Sequence, residues 1–231
     1  MDLRELENVN PWTHWYYQSK ASAVKELLAP SFGEISRVAD IGAGSSFFSQ
    51  YLSQHMPDTH FACVDTSYTK LFERVSPNLE LRQTYEGQKA NLYIFMDVLE
   101  HVESDAQLLR DYLETAEIGT GVLITVPAFM SLWSEHDVFL GHFRRYRRQE
   151  VISLVERMGL EVQRSHYLFS SFLPVIFLMR KLGYRKNKGS NMAEVSKSLN
   201  YLLKKIHNFE HKFIKNPFFG LSVILYATKS S

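Results

Sequence analysis

The sequence predicts an α/β fold, a mostly parallel sheet with helices on both faces. Two observations predict it. Short apolar runs rich in β-branched and aromatic residues alternate with segments of helical periodicity, and Gly-, Pro- or acid-bearing joints separate them. The stretch Arg37 to Asp65 shows this most fully. Val38-Ala39-Asp40-Ile41 leads into Gly42-Ala43-Gly44-Ser45-Ser46; Phe47, Phe48, Tyr51 and Leu52 follow at helical spacing; Phe61-Ala62-Cys63-Val64 closes on Asp65. Strand, tight glycine turn, helix, strand and acid form the first half of a nucleotide-binding βαβ unit.

In chain order, NPWTHWYY at 10–17 crowds aromatics ahead of a helical pattern ending near Leu28, with Asn10-Pro11 as its entry. These aromatics either fold over a ligand as a lid or cover an open face of the sheet. After the βαβ unit, Tyr68 to Val75 reads as a short helix and Leu79 to Thr84 as an alternating strand. Asn91 to Met96 is an apolar strand ending at Asp97. Ser104 caps the next helix, with Asp105 in its first turn and Gln107 at the capping-box position; Val122 to Val126 is a buried strand closed by Pro127. Gln149 to Met158 is an amphipathic helix stopped by Gly159. Glu161 to Leu168 and Leu221 to Thr228 are the last strands.

At 231 residues, with 45% hydrophobic and 22% charged residues, the chain reads as one globular domain. The single cysteine, Cys63, excludes an internal disulfide framework and fits a reducing, cytoplasmic compartment; the acidic start MDLRELENVN is no secretory signal. The net charge of +1 hides an asymmetry: residues 180–215 carry ten Lys/Arg against two acids. An anionic partner would be sought there.

Gly42 and Gly44 lack Cβ, so a ligand can approach the turn's backbone closely. Asp65, 23 positions after Gly42, suits a carboxylate bridging ribose hydroxyls. A dinucleotide fingerprint would need a third glycine where Phe47 stands. Asp40, immediately before the loop, suits a cationic amino group instead. The expected cofactor is S-adenosylmethionine.

With these pieces in place the chain resembles a class I S-adenosylmethionine-dependent methyltransferase of the bacterial small-molecule (methyltransferase type 11/12-like) kind. Asp40-Ile41-Gly42-Ala43-Gly44 resembles the family's first motif, Asp65 its ribose acid, and Met96-Asp97-Val98-Leu99-Glu100-His101-Val102 the segment after its fourth strand. The HWYY lead-in, the GHFRRY segment and the closing FFGLSVILYATK extend the likeness over 12–168 and 217–229. Ser46 departs from it, standing where many members have a third glycine.

The resemblance implies a Rossmann-like, seven-stranded sheet with one antiparallel strand, and leaves 180–215 unassigned. It implies a cofactor set of Asp40, Gly42, Ala43, Gly44, Asp65, Thr66, Thr84, Asp97 and Val98, with S-adenosylhomocysteine as product. The residues themselves add a helical insertion before the last strand and divide the chain into 1–30 (aromatic lid or helix), 31–128 (cofactor core), 129–168 (acceptor side), 169–216 (apolar and basic insertion) and 217–231 (last strand).

For chemistry, residues 134–148 gather His136, Asp137, His142 and Tyr146 among four arginines after a strand exit. Imidazoles there suit general-base work near neutral pH, His142 first and His136 second. Arg145, Tyr146 and Tyr16 are acceptor-binding candidates, an arginine gripping a carboxylate or phosphate by forked hydrogen bonds. No metal is expected. An alternative set, Asp97, Glu100 and His101, resembles the ligands of certain RNA 2′-O-methyltransferases, completed by His136 or His142; otherwise Glu100 and His101 simply begin a helix.

The apolar run 167–179 meets a basic tract through Lys188, and a helix follows over Ala193 to Ile214. With Pro174 inside, the run is too short to span a bilayer. It is either core over the acceptor pocket or an interfacial element at the inner face of the membrane. The expected activity is methyl transfer, at oxygen, to a small or lipid-linked acceptor. Rivals are a metal-using RNA methyltransferase, disfavoured by the net-negative body, and a non-catalytic cofactor-binding partner protein.

Overall fold

A computed structural model of the protein describes residues 9–86, 88–181, 195–216 and 218–230. Eight strands form one sheet in the order β3-β4-β2-β1-β5-β6-β8-β7. They are β1 Arg37–Ile41, β2 His60–Val64, β3 Phe72–Ser76, β4 Leu79–Arg82, β5 Leu92–Met96, β6 Gly121–Pro127, β7 Leu160–Leu168 and β8 Ser222–Lys229. The central strands are buried on both faces, which is why β5 and β6 read as unbroken apolar runs.

Seven strands lie where the sequence puts them, with β8 antiparallel to both β6 and β7. The eighth is a correction. Residues 68–75 do not form a helix; β3 pairs antiparallel with β4 across the Ser76-Pro77-Asn78 turn. The Asn78 side chain anchors that turn, donating to the Thr59 carbonyl at 3.2 Å. At the sheet edge, with Phe72 and Val75 exposed, β3 has no buried face to impose a period. The turn's geometry therefore decides its state.

Helices α1 Trp15–Leu28, α2 Phe47–Ser53, α3 Asp105–Leu113, α4 Glu135–Leu140, α5 Arg148–Glu156, α6 Leu173–Lys181 and α7 Lys197–Phe213 cover the sheet. Successive β1 residues divide between two cores: Ala39 and Ile41 join one with Leu109 and Val151, and Val38 joins the other with Tyr17, Val24 and Phe47. Ser104 caps α3 as its sequence signature predicts, accepting from the Gln107 amide at 3.4 Å. The chain runs outward from β1 to β4 and returns to β5 on β1's other side, so the switch point lies between β1 and β5. Open α/β sheets bind ligands at the carboxyl ends of such strands.

α7 docks through polar residues. Asn200 accepts from the Trp15 amide at 2.7 Å and donates to the Thr13 carbonyl at 2.8 Å. Glu210, buried, accepts from the Ser170 and Ser171 amides at 2.6 and 2.7 Å. His207 stacks on Phe169 with ring centroids 4.2 Å apart, beside His211 and His166. Burial, reinforced by the neighbouring His211, pushes His207 down to about 3 and His166 down to about 4; Lys215, Arg148 and Arg164 also disfavour charge on His166.

These histidines stay neutral in the folded chain and charge readily once unfolded. Their contribution is therefore whole above the ordinary histidine range and lost as pH falls from about 6.5 towards about 4. Acidifying from neutrality to this range should cost about 2–3 kcal/mol for each of the two, lowering the melting temperature by roughly 10 °C. His207→Asn should flatten that slope in calorimetric melts; an unchanged slope would refute the account.

Candidate functional site

Four loops meet at the carboxyl edge: the glycine turn after β1, Asp65 after β2, residues 97–101 after β5, and 128–146 after β6. Three non-glycine residues in these loops hold left-handed backbones, Ser46 (φ 57°), Asp97 (φ 54°) and Phe129 (φ 57°). Such conformations are costly, and they gather where a ligand site constrains the chain.

The glycine turn is tied to β2. Gly42 and Ala43 donate to the Val64 carbonyl at 2.8 and 3.1 Å, and the Gly44 amide donates to Asp65 Oδ2 at 2.8 Å. The other Asp65 oxygen accepts from Ser67, amide and hydroxyl, at 2.9 and 2.6 Å. Gly42 has φ 68°, and a Cβ there would stand 2.7 Å from Val98 Cγ2, so only glycine fits beside the β5 exit. Ser46 adopts the left-handed backbone natural to glycine, and its hydroxyl accepts from Gln50 Nε2 at 2.7 Å. The departure from the family pattern therefore keeps the turn's shape.

Asp40 is buried at the end of β1. It accepts from Ser49 Oγ at 2.7 Å, while Oδ1 has no hydrogen-bond partner among the described residues. Burial pushes its pKa up to about 6 against that bond. Thr66 and Thr84 are exposed, and Thr84 falls beyond the end of β4.

The N-terminal aromatics lie over this edge. Trp12 and Tyr17 meet the Phe47 ring edge-on, at 4.9 and 6.3 Å. Tyr16 stacks on Phe169 at 4.8 Å. Between them Lys20, fully buried, forms an ion pair with Asp97, whose other oxygen accepts from Thr125 Oγ1 at 3.0 Å. Burial disfavours both charges. Their attraction outweighs it, raising the lysine's pKa and lowering the aspartate's. Glu100 beside them goes the other way: burial and the Asp97 charge push its pKa well up.

Lys20 is the residue that sequence reasoning missed. The signal was present: Tyr17, Lys20, Val24 and Leu27 recur at helical spacing, and all four are buried. A lysine within a buried stripe is one that needs a partner.

The β6-exit loop folds back onto β5's. The Phe143 amide donates to the Glu100 carbonyl at 2.7 Å, and the His142 ring lies edge-on to His101 at 4.6 Å. His142 Nδ1 is 3.0 Å from Asp137 Oδ1. Asp137 is fully buried, accepts from the Ser134 amide at 2.8 Å, and binds Arg145 by two contacts of 2.6 and 3.1 Å. Burial opposes its charge, but His142 and Arg145 hold the carboxylate well below the usual range. His136 is half-buried on α4.

Two acceptor candidates are hydrogen-bonded within the loops. Arg145 pairs with Asp137 and donates to the Ala128 carbonyl, 3.1 Å away. Tyr146 is buried, with its hydroxyl 2.9 Å from Asp105 and 3.1 Å from the Leu99 carbonyl. Its hydroxyl joins the segment to the β5-exit loop and the start of α3. The metal alternative is also regrouped. Asp97 is taken by Lys20, whereas ligand atoms of Glu100, His101 and His142 lie within 4.8 Å of one another.

The donor set fits a sulfonium nucleotide. Asp97, which keeps 24% of its side chain exposed and is set by the enclosed Lys20 ammonium, suits the ammonium of an amino-acid end. Asp65 lies across the turn, suited to a ribose.

No protein-family model and no curated protein matches the sequence. Solved structures do. The [4+2]-cyclase SpnF aligns with 93% of this chain and 82% of its own, at 14% identity and TM-score 0.56. A putative sarcosine dimethylglycine methyltransferase from Galdieria sulphuraria aligns over 92% and 85%, at 12% identity and TM-score 0.55. A SAM dependent methyltransferase from Archaeoglobus fulgidus aligns over 90% and 94%, at 15% identity and TM-score 0.54. The chain spans about half the length of larger matches, 51% of the calicheamicin-biosynthesis methyltransferase CalO1 and 53% of human N-acetylserotonin methyltransferase. Strand order, switch point and these alignments together give the chain the fold of the class I S-adenosylmethionine-dependent methyltransferases.

Proposed function

We propose that the protein transfers a methyl group from S-adenosylmethionine to an oxygen of a small or lipid-linked acceptor, leaving S-adenosylhomocysteine. The observation that carries this reading is the Gly44–Asp65 hydrogen bond, which locks the glycine turn to the acid of the neighbouring strand. The cofactor supplies an already electrophilic methyl group, so the chain's work is alignment and proton removal. Asp65 would hold the ribose. Asp97, positioned by Lys20, would hold the ammonium of the amino-acid end, and Trp12 and Tyr16 would keep water from that edge. His142 accepts the acceptor's proton at Nε2 while Nδ1–H points at Asp137, whose charge stabilises the imidazolium.

A second reading has a divalent cation on Glu100, His101 and His142, with Asp137 as the outer carboxylate that orients His142. Activity surviving exhaustive chelation would exclude it.

Titration calorimetry with S-adenosylhomocysteine tests the main reading. Native chain should bind, and Asp65→Ala should bind roughly 10–100-fold more weakly, since charge-assisted hydrogen bonds contribute about 1.5–3 kcal/mol each. Equal affinity would sink the assignment. Binding without methyl consumption against any acceptor panel would instead favour the partner-protein reading, or a non-methylating chemistry such as that of the cyclase SpnF.

A further inference from the structure

α7 carries its polarity inside out. Its inward face is polar, with Asn200, Lys204, His207, Glu210 and His211 set against α1 and the turn after β7. Its outward face bears Leu199, Leu202, Ile206, Phe209 and Phe213, all exposed, with Phe209 at 61% and Phe213 at 65%. These positions recur every three or four residues, so they form one continuous stripe. A helix on an ordinary soluble domain points such a stripe at the core.

Further apolar residues are exposed at both ends of the insertion. Glu210 caps the turn at Ser170 and Ser171, and α6 begins immediately after it with Val175, Phe177 and Leu178 exposed. Beyond α7, Phe218 and Phe219 are exposed as well. Isolated exposed apolar residues need no explanation, but a contiguous array marks a contact surface.

Charge identifies the partner. From Val195 to Gly220 there are five lysines, of which only Lys204 is turned inward, and the one acid, Glu210, is buried and bound to backbone amides. Lys205 and Lys212 are exposed and lie over the Tyr201 and Phe213 rings, at 5.3 and 5.4 Å from their centroids. A second copy of the chain seated on this face by a two-fold axis would bring these cations together without an acid to neutralise them. A basic amphipathic helix with Leu and Phe on its apolar face instead matches an anionic bilayer surface. No described helix is long and apolar enough to cross a membrane, so the contact is with one leaflet.

We propose that α7 lies in the headgroup region of an anionic lipid bilayer, with its Leu199–Phe213 stripe among the acyl chains and its lysines at the phosphates. α6 adds apolar area at the same corner. The inward polar residues fix the helix to the body, so the surface is preformed. This inference stands apart from the methyl-transfer reading, since no residue of the carboxyl-edge site takes part.

Co-sedimentation of the full chain with vesicles tests it. Vesicles of equimolar phosphatidylglycerol and phosphatidylcholine should bind the protein, and raised salt should release it. Phosphatidylcholine alone should bind at least roughly tenfold more weakly. Lys205→Glu with Lys212→Glu, and separately Phe209→Ser with Phe213→Ser, should each lower partitioning tenfold or more. Melting curves should stay native, because these side chains face solvent. No binding to the anionic vesicles would overturn the proposal. So would undiminished binding by both variants, or a dimer at sedimentation equilibrium that the serine pair dissociates while vesicles bind nothing.

Discussion

Replacing Lys20 by methionine will destabilise the folded chain by about 3–5 kcal/mol, the cost of removing one partner from a buried ion pair. Lys20 is wholly buried and Asp97 is its partner. Without the ammonium, Asp97 keeps one hydroxyl, Thr125, against the burial of its charge and the adjacent Glu100. Denaturant melts measure the loss. The double variant Lys20→Met/Asp97→Asn should recover most of it, because the orphaned charge, not the missing lysine, is the main penalty. S-adenosylhomocysteine affinity should fall in both variants if the pair holds the amino-acid end. A Lys20→Met chain as stable as the native one would show that the pair contributes nothing.

The second large effect concerns turnover. His142→Ala should lower kcat by about 10²–10⁴, the usual contribution of a positioned general base, while leaving S-adenosylhomocysteine affinity within about twofold. Asp137→Asn should cost less in kcat. The amide would still accept from Ser134 but would lose its charge towards His142 and Arg145. The split between kcat and affinity separates a base from a mere brace, since a brace would disturb S-adenosylhomocysteine binding as well. Unchanged turnover in His142→Ala would remove the histidine from the chemistry.

Much of this was legible locally. Strand and helix periods, the Ser104 cap and the Gly42–Gly44 turn depend on neighbours a few residues apart, and each lies where its pattern predicts. The helix expected over residues 68–75 failed because an edge strand takes its conformation from its hairpin partner. The helix expected over Ala193 to Ile214 is described from Lys197 to Phe213, its first residues and the basic tract from 182 to 188 lying outside the described residues. Its apolar period was visible, but which face it buries was not. Hydrophobicity predicts the apolar side inward, and the hydrogen bonds of Asn200 and Glu210 reverse that.

The amino-acid sequence by itself determined the alternating strands and helices, the glycine turn and the acid that closes the second strand. Those follow from chain-local sterics and periodicity. The tertiary structure alone decided that Lys20 meets Asp97 across 77 positions, that His142 is set against Asp137 and Glu100's loop, and that Arg145 and Tyr146 bond to Asp137 and Asp105. Side-chain electrostatics depends on which loops the sheet brings to one edge, and no spacing along the chain encodes that.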